Sequence, residues 1–395
     1  MQKYIVSTNI IIAYALLFLS VLLMSPIFTG LININASAMY MLLILSTFLI
    51  VIYKYGIPLN AAFLSVCFTC IILTLALLTQ SQVHFNRYIL QSIGLLICFV
   101  IAKDFDLLSR LTRLLTLFAI VGVFFATIGF FYALSGGKPI FSFPNLDGRL
   151  NYVYLTTFTN AVYGNVIRSS FIYDEPGAFS FVLCFVVVLR ELMHKRVLPS
   201  MLIMLGGLVT LSLAHILIFL LYIFSKIKFT IKGLIGLIFF IILSISLSKN
   251  ILNSNQFEFF SSRFALNEDG ELAGDNRSNQ IENFKNIFSW NIFWGGDYQC
   301  HALPTKSCID HGDISSSIVT PLYRGGVIQL ALQILTHLFF IFLFIKNKKL
   351  FFSIFAMSLI LLQRPFFSVI GYQFMIYLVF FVAYNKKNDV NHQIK

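Results

Sequence analysis

Residues 198–226 read LPSMLIMLGGLVTLSLAHILIFLLYIFSK, an apolar run that ends on a lysine. They make either one long tilted helix or two short ones meeting near Ser212 to His215, each of about 14 residues and so about 21 Å long. The choice inverts every later loop across a bilayer. A single span would put the Lys226, Lys228, Lys232 cluster and the Lys346, Lys348, Lys349 cluster on the outer side together. Two helices keep both clusters inside, where Lys and Arg of short loops collect. Two helices are therefore expected.

Working outward, 58% of the 395 residues are apolar and 11% charged, less than half the roughly 25% charge of an ordinary soluble domain. That excludes a water-soluble globule. Runs of about 20 mostly apolar residues recur, each long enough to cross roughly 30 Å of hydrocarbon as a helix. Spans are expected near 9–29, 36–53, 58–79, 88–102, 114–135, 171–189, 198–212, 214–226, 233–248, 326–345, 350–363 and 366–385. The fold class expected is an all-α polytopic integral membrane protein of about twelve transmembrane helices. It forms a single membrane domain over 1–395, interrupted by polar stretches at 136–176 and 249–315. The first span is too long for a signal-peptide core and reads as a retained anchor.

With the N-terminus inside, 17 of the 28 basic residues but only 4 of the 16 acidic ones fall in cytoplasmic segments. The net charge of +12 thus marks topology and not a nucleic-acid partner. Both termini are expected in the cytoplasm and both polar stretches outside. Cys67, Cys70, Cys98 and Cys184 lie in apolar spans, as small buried thiols do. Cys300 and Cys308 lie in the larger outer loop, where a disulfide between them is permitted.

Ionisable residues inside spans usually mark a transporter's path. Here they are few: His215, His337 and Arg324, the last at the outer boundary. No internal repeat of the transporter kind is visible. Chemistry is therefore expected on the outer face, in three constellations. The first runs from Arg168 through Tyr173, Asp174 and Glu175 to Pro176, which suits the first turn of the next helix. Its two carboxylates serve either a site or merely the cap and dipole of that helix. The second, Arg277 to Gly296, places residues 281, 284, 287 and 288 on one face of an amphipathic helix ended by glycines. The third joins Asp310, His311 and Asp313 to Tyr323, Arg324, Gly325 and Gly326. Asp297, His301, Asp310, His311 and Asp313 crowd a short loop, but no spacing matches an established metal site, so neither metal nor cofactor is expected.

In this order, Arg168 with Glu175-Pro176, Arg277 with Gly295-Gly296 and His311 with Gly325-Gly326 resemble the O-antigen polymerase (Wzy type) and O-antigen ligase superfamily over most of the chain. Gly312 stands where ligases and many polymerases have Asn after the histidine. The resemblance implies a glycosyltransferase of the bacterial inner membrane that moves a glycan from undecaprenyl pyrophosphate to a sugar hydroxyl without a metal. Its ligand is then an undecaprenyl-pyrophosphate-linked oligosaccharide among membrane lipids, and a polysaccharide chain-length regulator is an expected partner. His311, or else Glu175, would be the base for the incoming hydroxyl. Arg168, Arg277 and Arg324 would hold the pyrophosphate, with Asp313 beside the glycan. A ligase acting on lipid A core, or a lipid-linked oligosaccharide flippase, is the alternative.

Overall fold

The computed structural model describes residues 2–28, 36–56, 82–144, 150–226, 293, 320–346, 350–363 and 370–392. These are mostly helical: α1 (Gln2–Leu17), continued by a π-turn (Phe18–Leu22), α2 (Ala36–Tyr55), α3 (Gln82–Ile101), α4 (Phe105–Leu134), α5 (Pro176–Leu192), α6 (Val197–Gly206), α7 (Leu213–Lys226), α8 (Thr320–Lys346), α9 (Phe351–Gln363) and α10 (Ile370–His392). Two of them, within α2 (Ala38–Tyr55) and in α4, are long and apolar enough to cross a membrane. The expected spans at 58–79 and 233–248 lie outside the described residues.

Residues 197–226 form two helices. After Gly206 the chain tightens into a 3-10 turn (Gly207–Thr210) and reverses at Leu211, whose φ is +46°. Both ends of the stretch meet one end of α5. Arg190 Nη2 donates to the Arg196 carbonyl at 2.7 Å, and Tyr222 and Lys226 both bond Glu191. The break meets the opposite end, where Ser169 N–H donates to the Val209 carbonyl at 3.1 Å. A continuous helix would hold Arg196 and Lys226 roughly 45 Å apart, so α6 and α7 run antiparallel.

The same end gathers other residues that charge assigned to cytoplasmic segments. Lys54 pairs with Asp104 at 3.2 Å, Arg110 with Asp106 at 2.9 Å, and Lys195 donates to Ser109 at 2.8 Å. Asn9 joins by donating to Asp106 and Asn385 by donating to the Ala102 carbonyl, each at 3.0 Å. Asp104 is the N-cap of α4 and accepts from Leu107 N–H at 2.8 Å. Burial works to raise its pKa, but the bonds from Leu107, Tyr55 and Lys54 outweigh it and hold the carboxyl below its usual value. Its stabilising contribution is thus present above the unfolded value of about 3.9 and lost as pH falls through the lower folded one. Asp104→Asn keeps the capping oxygen and loses the charge, whereas Asp104→Ala loses both. Thermal unfolding in detergent at pH 7 should rank wild type above Asn and Asn above Ala, the last step worth about 1 kcal/mol. Equal stability of Asn and Ala would remove the cap.

Packing follows composition. Helix α5, apolar on every side, is buried on every side except at Glu191, as an all-apolar helix in the middle of a bundle must be. Helix α4 turns a stripe of small residues inward, Ala119, Gly122, Ala126, Gly129 and Ala133, which brings neighbouring backbone close. Its outward face carries Leu117, Phe124 and Phe131, all exposed. An apolar outward face of that extent, on a helix long enough to span, suits hydrocarbon. Cys98 and Cys184 are buried free thiols.

The polar stretch between α4 and α5 departs from the all-α expectation. It contains an antiparallel meander, β1 (Phe141–Pro144), β2 (Leu150–Tyr154) and β3 (Thr157–Thr159), and a hairpin, β4 (Val162–Tyr163) with β5 (Val166–Ile167). The register pairs Phe143 with Asn151 and Val153 with Phe158. Aromatic and β-branched residues favour strands, and Gly164, with φ +60°, makes the hairpin turn. The meander sits on α4 at Gly129, where a Cβ would come within 2.3 Å of Thr157 Cγ2 and 2.7 Å of the Tyr154 carbonyl oxygen.

Several helix limits differ from the expected spans, two of them for a legible local reason. Helix α5 begins at Pro176 and not near 171, because Phe171 takes φ +54° and Pro176 occupies the first helical turn. Helix α4 begins at Phe105 and not near 114, because Asp104 caps it there.

Candidate functional site

Of the residues expected to do chemistry, Arg168 and Glu175 can be placed. They begin and end one loop at the end of the bundle away from the Lys54, Arg190 and Lys226 group. His311, Arg277, Asp313, Cys300 and Cys308 lie outside the described residues. Arg324 lies on α8, two residues before Gly326, where φ +64° and ψ −166° break the helix. Only glycine adopts that conformation without strain, so the Tyr323 to Gly326 element is a kink and not a plain helix start.

Loop 168–175 enters the bundle, and its backbone polar groups need partners there. Arg168 N–H donates to the Ala161 carbonyl at 3.1 Å, and its own carbonyl accepts from Thr159 Oγ1 at 2.8 Å. Ser169, fully buried, bonds Val209 through its amide and the Ala126 carbonyl through its hydroxyl at 3.0 Å. Phe171 N–H donates to Thr157 Oγ1 at 2.8 Å, and its carbonyl accepts from Phe158 N–H at 2.7 Å. Ser25 Oγ donates to the Ile172 carbonyl at 2.6 Å, and Tyr173 OH to the Val21 carbonyl at 3.1 Å. The loop is thus tied to the α1 side, α4, the meander and the break after α6.

Phe171 carries the strain of this path. A left-handed φ costs a non-glycine residue about 1–2 kcal/mol. Its ring meets Phe118, Phe125 and Phe179 at centroid distances of 5.6, 6.4 and 5.6 Å, and such pairs contribute about 0.5–1.5 kcal/mol each. The ring contacts offset the strain. Gly122 makes room, since a Cβ there would lie 2.9 Å from the Phe171 ring.

Arg168 is held by its side chain as well. Nε donates to the Thr210 carbonyl at 3.3 Å, at the end of the 3-10 turn. A cation there complements the negative end of the helix dipole, and the bond at Nε restrains the orientation of the planar guanidinium. At the far end of the loop Glu175 takes the N-cap position of α5, and its backbone carbonyl accepts from Ala178 N–H at 3.0 Å. Its carboxylate makes no capping bond to the first-turn amides, so of the cap and dipole account only the dipole part applies to Glu175.

Sequence reading missed the partners that make this loop rigid: Ser25, Thr157, Thr159 and Thr210. Each is a small hydroxyl residue in or beside an apolar run, and only the folded chain distinguishes it from other serines and threonines. Among the described residues no group of three or more His, Cys, Asp or Glu is placed to hold a metal.

The chain matches no protein-family model, and neither a curated protein nor a solved structure is significantly similar to it.

Proposed function

We propose that the chain is an O-antigen polymerase of the Wzy type, a bacterial inner-membrane protein of about twelve spans with both termini in the cytoplasm. The observation that carries this reading is Arg168, bonded through Nε to the Thr210 carbonyl in a loop at the bundle end opposite the Lys54, Arg190 and Lys226 group. By the positive-inside rule that opposite end is extracytoplasmic, where lipid-linked glycans are joined. The acceptor sugar's hydroxyl oxygen attacks the anomeric carbon of the glycan carried on undecaprenyl pyrophosphate, and the bond from that carbon to the pyrophosphate oxygen breaks. The hydroxyl proton passes to His311, or to Glu175 in its place. Arg168, with Arg277 and Arg324, stabilises the negative charge that develops on the departing pyrophosphate.

Deleting the gene and resolving the lipopolysaccharide tests the reaction. A band of core bearing a single repeat unit supports the polymerase. Bare core with accumulated lipid-linked polymer instead assigns a ligase, and loss of outward-facing lipid-linked repeat units assigns a flippase.

Topology has its own prediction. In a background with the native cysteines changed to Ser, a cysteine at Asn165, exposed on the hairpin tip, should react with an impermeant maleimide applied to spheroplasts. One at Lys103, exposed at the other end, should react only after permeabilisation. The reverse pattern would turn the protein over and remove the outer site.

A further inference from the structure

His215 lies in the first turn of α7, fully buried, and no step of the proposed reaction uses it. Its Nε2 lies 2.8 Å from the Met204 carbonyl on α6, and its Nδ1 lies 3.2 Å from Ser180 Oγ on α5. Cys184 Sγ is 3.6 Å from Nδ1. A carbonyl only accepts, so Nε2 carries the proton and Nδ1 accepts from the Ser180 hydroxyl. One neutral ring thereby ties three helices together around the break between α6 and α7.

The ring also packs on the break itself. A Cβ at Gly207 would fall 2.3 Å from His215 Cε1 and 2.4 Å from Nε2, so only a glycine backbone fits against it. From Gly207 a short path leads outward. Thr210 Oγ1 donates to the Gly207 carbonyl at 2.8 Å, and the Thr210 carbonyl accepts from Arg168 Nε at 3.3 Å. Ser169, next in the chain, bonds the Val209 carbonyl on the same turn. The turn that supports the arginine is therefore seated on the imidazole.

We infer that His215 is a positioning residue: through the 3-10 turn at Gly207–Thr210 it sets the plane of the Arg168 guanidinium for the pyrophosphate of the lipid-linked donor. The inference rests on the proposed reading of Arg168 as a pyrophosphate ligand. His215 touches neither donor nor acceptor in this role. Its loss acts on donor recognition and not on proton transfer.

The test is steady-state polymerisation in proteoliposomes of the full chain, with purified undecaprenyl-pyrophosphate-linked repeat unit as donor and rates taken per folded molecule. His215→Ala should raise the donor KM about tenfold and lower kcat by a smaller factor, since Arg168 also meets the charge that develops on the departing pyrophosphate. His215→Gln, with one donor for Met204 and one acceptor for Ser180, should bring KM back to within about threefold of wild type. Because His215 acts through Arg168, the double variant with Arg168→Ala should be no worse than Arg168→Ala alone. If His215→Ala does not fold, Ser180→Ala frees Nδ1 with less disturbance, and it should raise KM about threefold. A purely structural role would lower the yield and melting temperature of His215→Ala or Ser180→Ala but leave KM per folded molecule unchanged, and that outcome overturns the inference alone. An unchanged donor KM in Arg168→Ala would overturn the pyrophosphate reading, and this inference with it.

Discussion

In reconstituted vesicles His311→Ala is expected to slow chain growth by about 10²- to 10⁴-fold, the usual contribution of a positioned general base, while binding of the lipid-linked donor stays near the wild-type level. A sugar hydroxyl is a weak nucleophile at neutral pH, and removing its proton helps only in the transition state. An interaction made only there lowers kcat and kcat/KM together. Glu175 is the residue to compare. It makes no side-chain cap bond to α5 and stands at the end of the loop that Arg168 begins. Glu175→Gln keeps the shape and removes the basicity. If His311→Ala grows chains at a near-normal rate and Glu175→Gln does not, the carboxylate is the base and the histidine is not. Expression of each variant is checked by the amount of folded protein recovered.

The parts of the molecule legible in its sequence are those ruled by long-range averages. Charge counted over loops assigned Lys54, Arg110, Arg190, Lys195 and Lys226 to one side, and the folded chain brings them to one end through named bonds. The same count distinguished two helices from one over 198–226, where the break falls at Leu211, next to the expected Ser212. Pro176 marked the start of α5 because its missing N–H and fixed φ belong in a first helical turn.

The small meander went unread for a physical reason. Hydropathy over a window of about 19 residues sees 136–176 only as a polar interruption, whereas strands of two to five residues are written in local alternation. Asn151 to Tyr154, followed by Thr157 to Thr159 and the Tyr163-Gly164-Asn165 turn, carried that signal at the shorter scale. Phe171 shows the opposite limit. Nothing in its neighbours announces a left-handed backbone, since the conformation is fixed by rings from α4 and α5 and by the missing side chain of Gly122. Arg168 was singled out by its place beside Glu175-Pro176, yet its anchor on Thr210 lies 42 residues away, on the very break that charge had located.

That anchor sharpens what Arg168 should do when it is replaced. On the proposed reading the guanidinium adds charge-assisted bonds to pyrophosphate oxygens to the contacts it makes within the protein, the bond from Nε to the Thr210 carbonyl among them. Arg168→Ala gives up both. A bond to a charged group is worth about 1.5–3 kcal/mol, so the net loss of one such bond to the pyrophosphate should lower the affinity for undecaprenyl-pyrophosphate-linked repeat unit about 10- to 100-fold. Lysine has a single ammonium, which can serve the carbonyl or the pyrophosphate but lacks the planar fork that reaches both. Arg168→Lys should therefore recover only part of the loss, about tenfold weaker than wild type. Thr210→Ala, which keeps the carbonyl, should leave Arg168 bonded and cost less than Arg168→Lys. The measurement is equilibrium binding of the labelled donor to each purified variant, beside its melting temperature. Wild-type affinity in Arg168→Ala would end the role of this arginine in holding pyrophosphate and confine it to capping the 3-10 turn, whereas full affinity in Arg168→Lys would reduce it to a point charge.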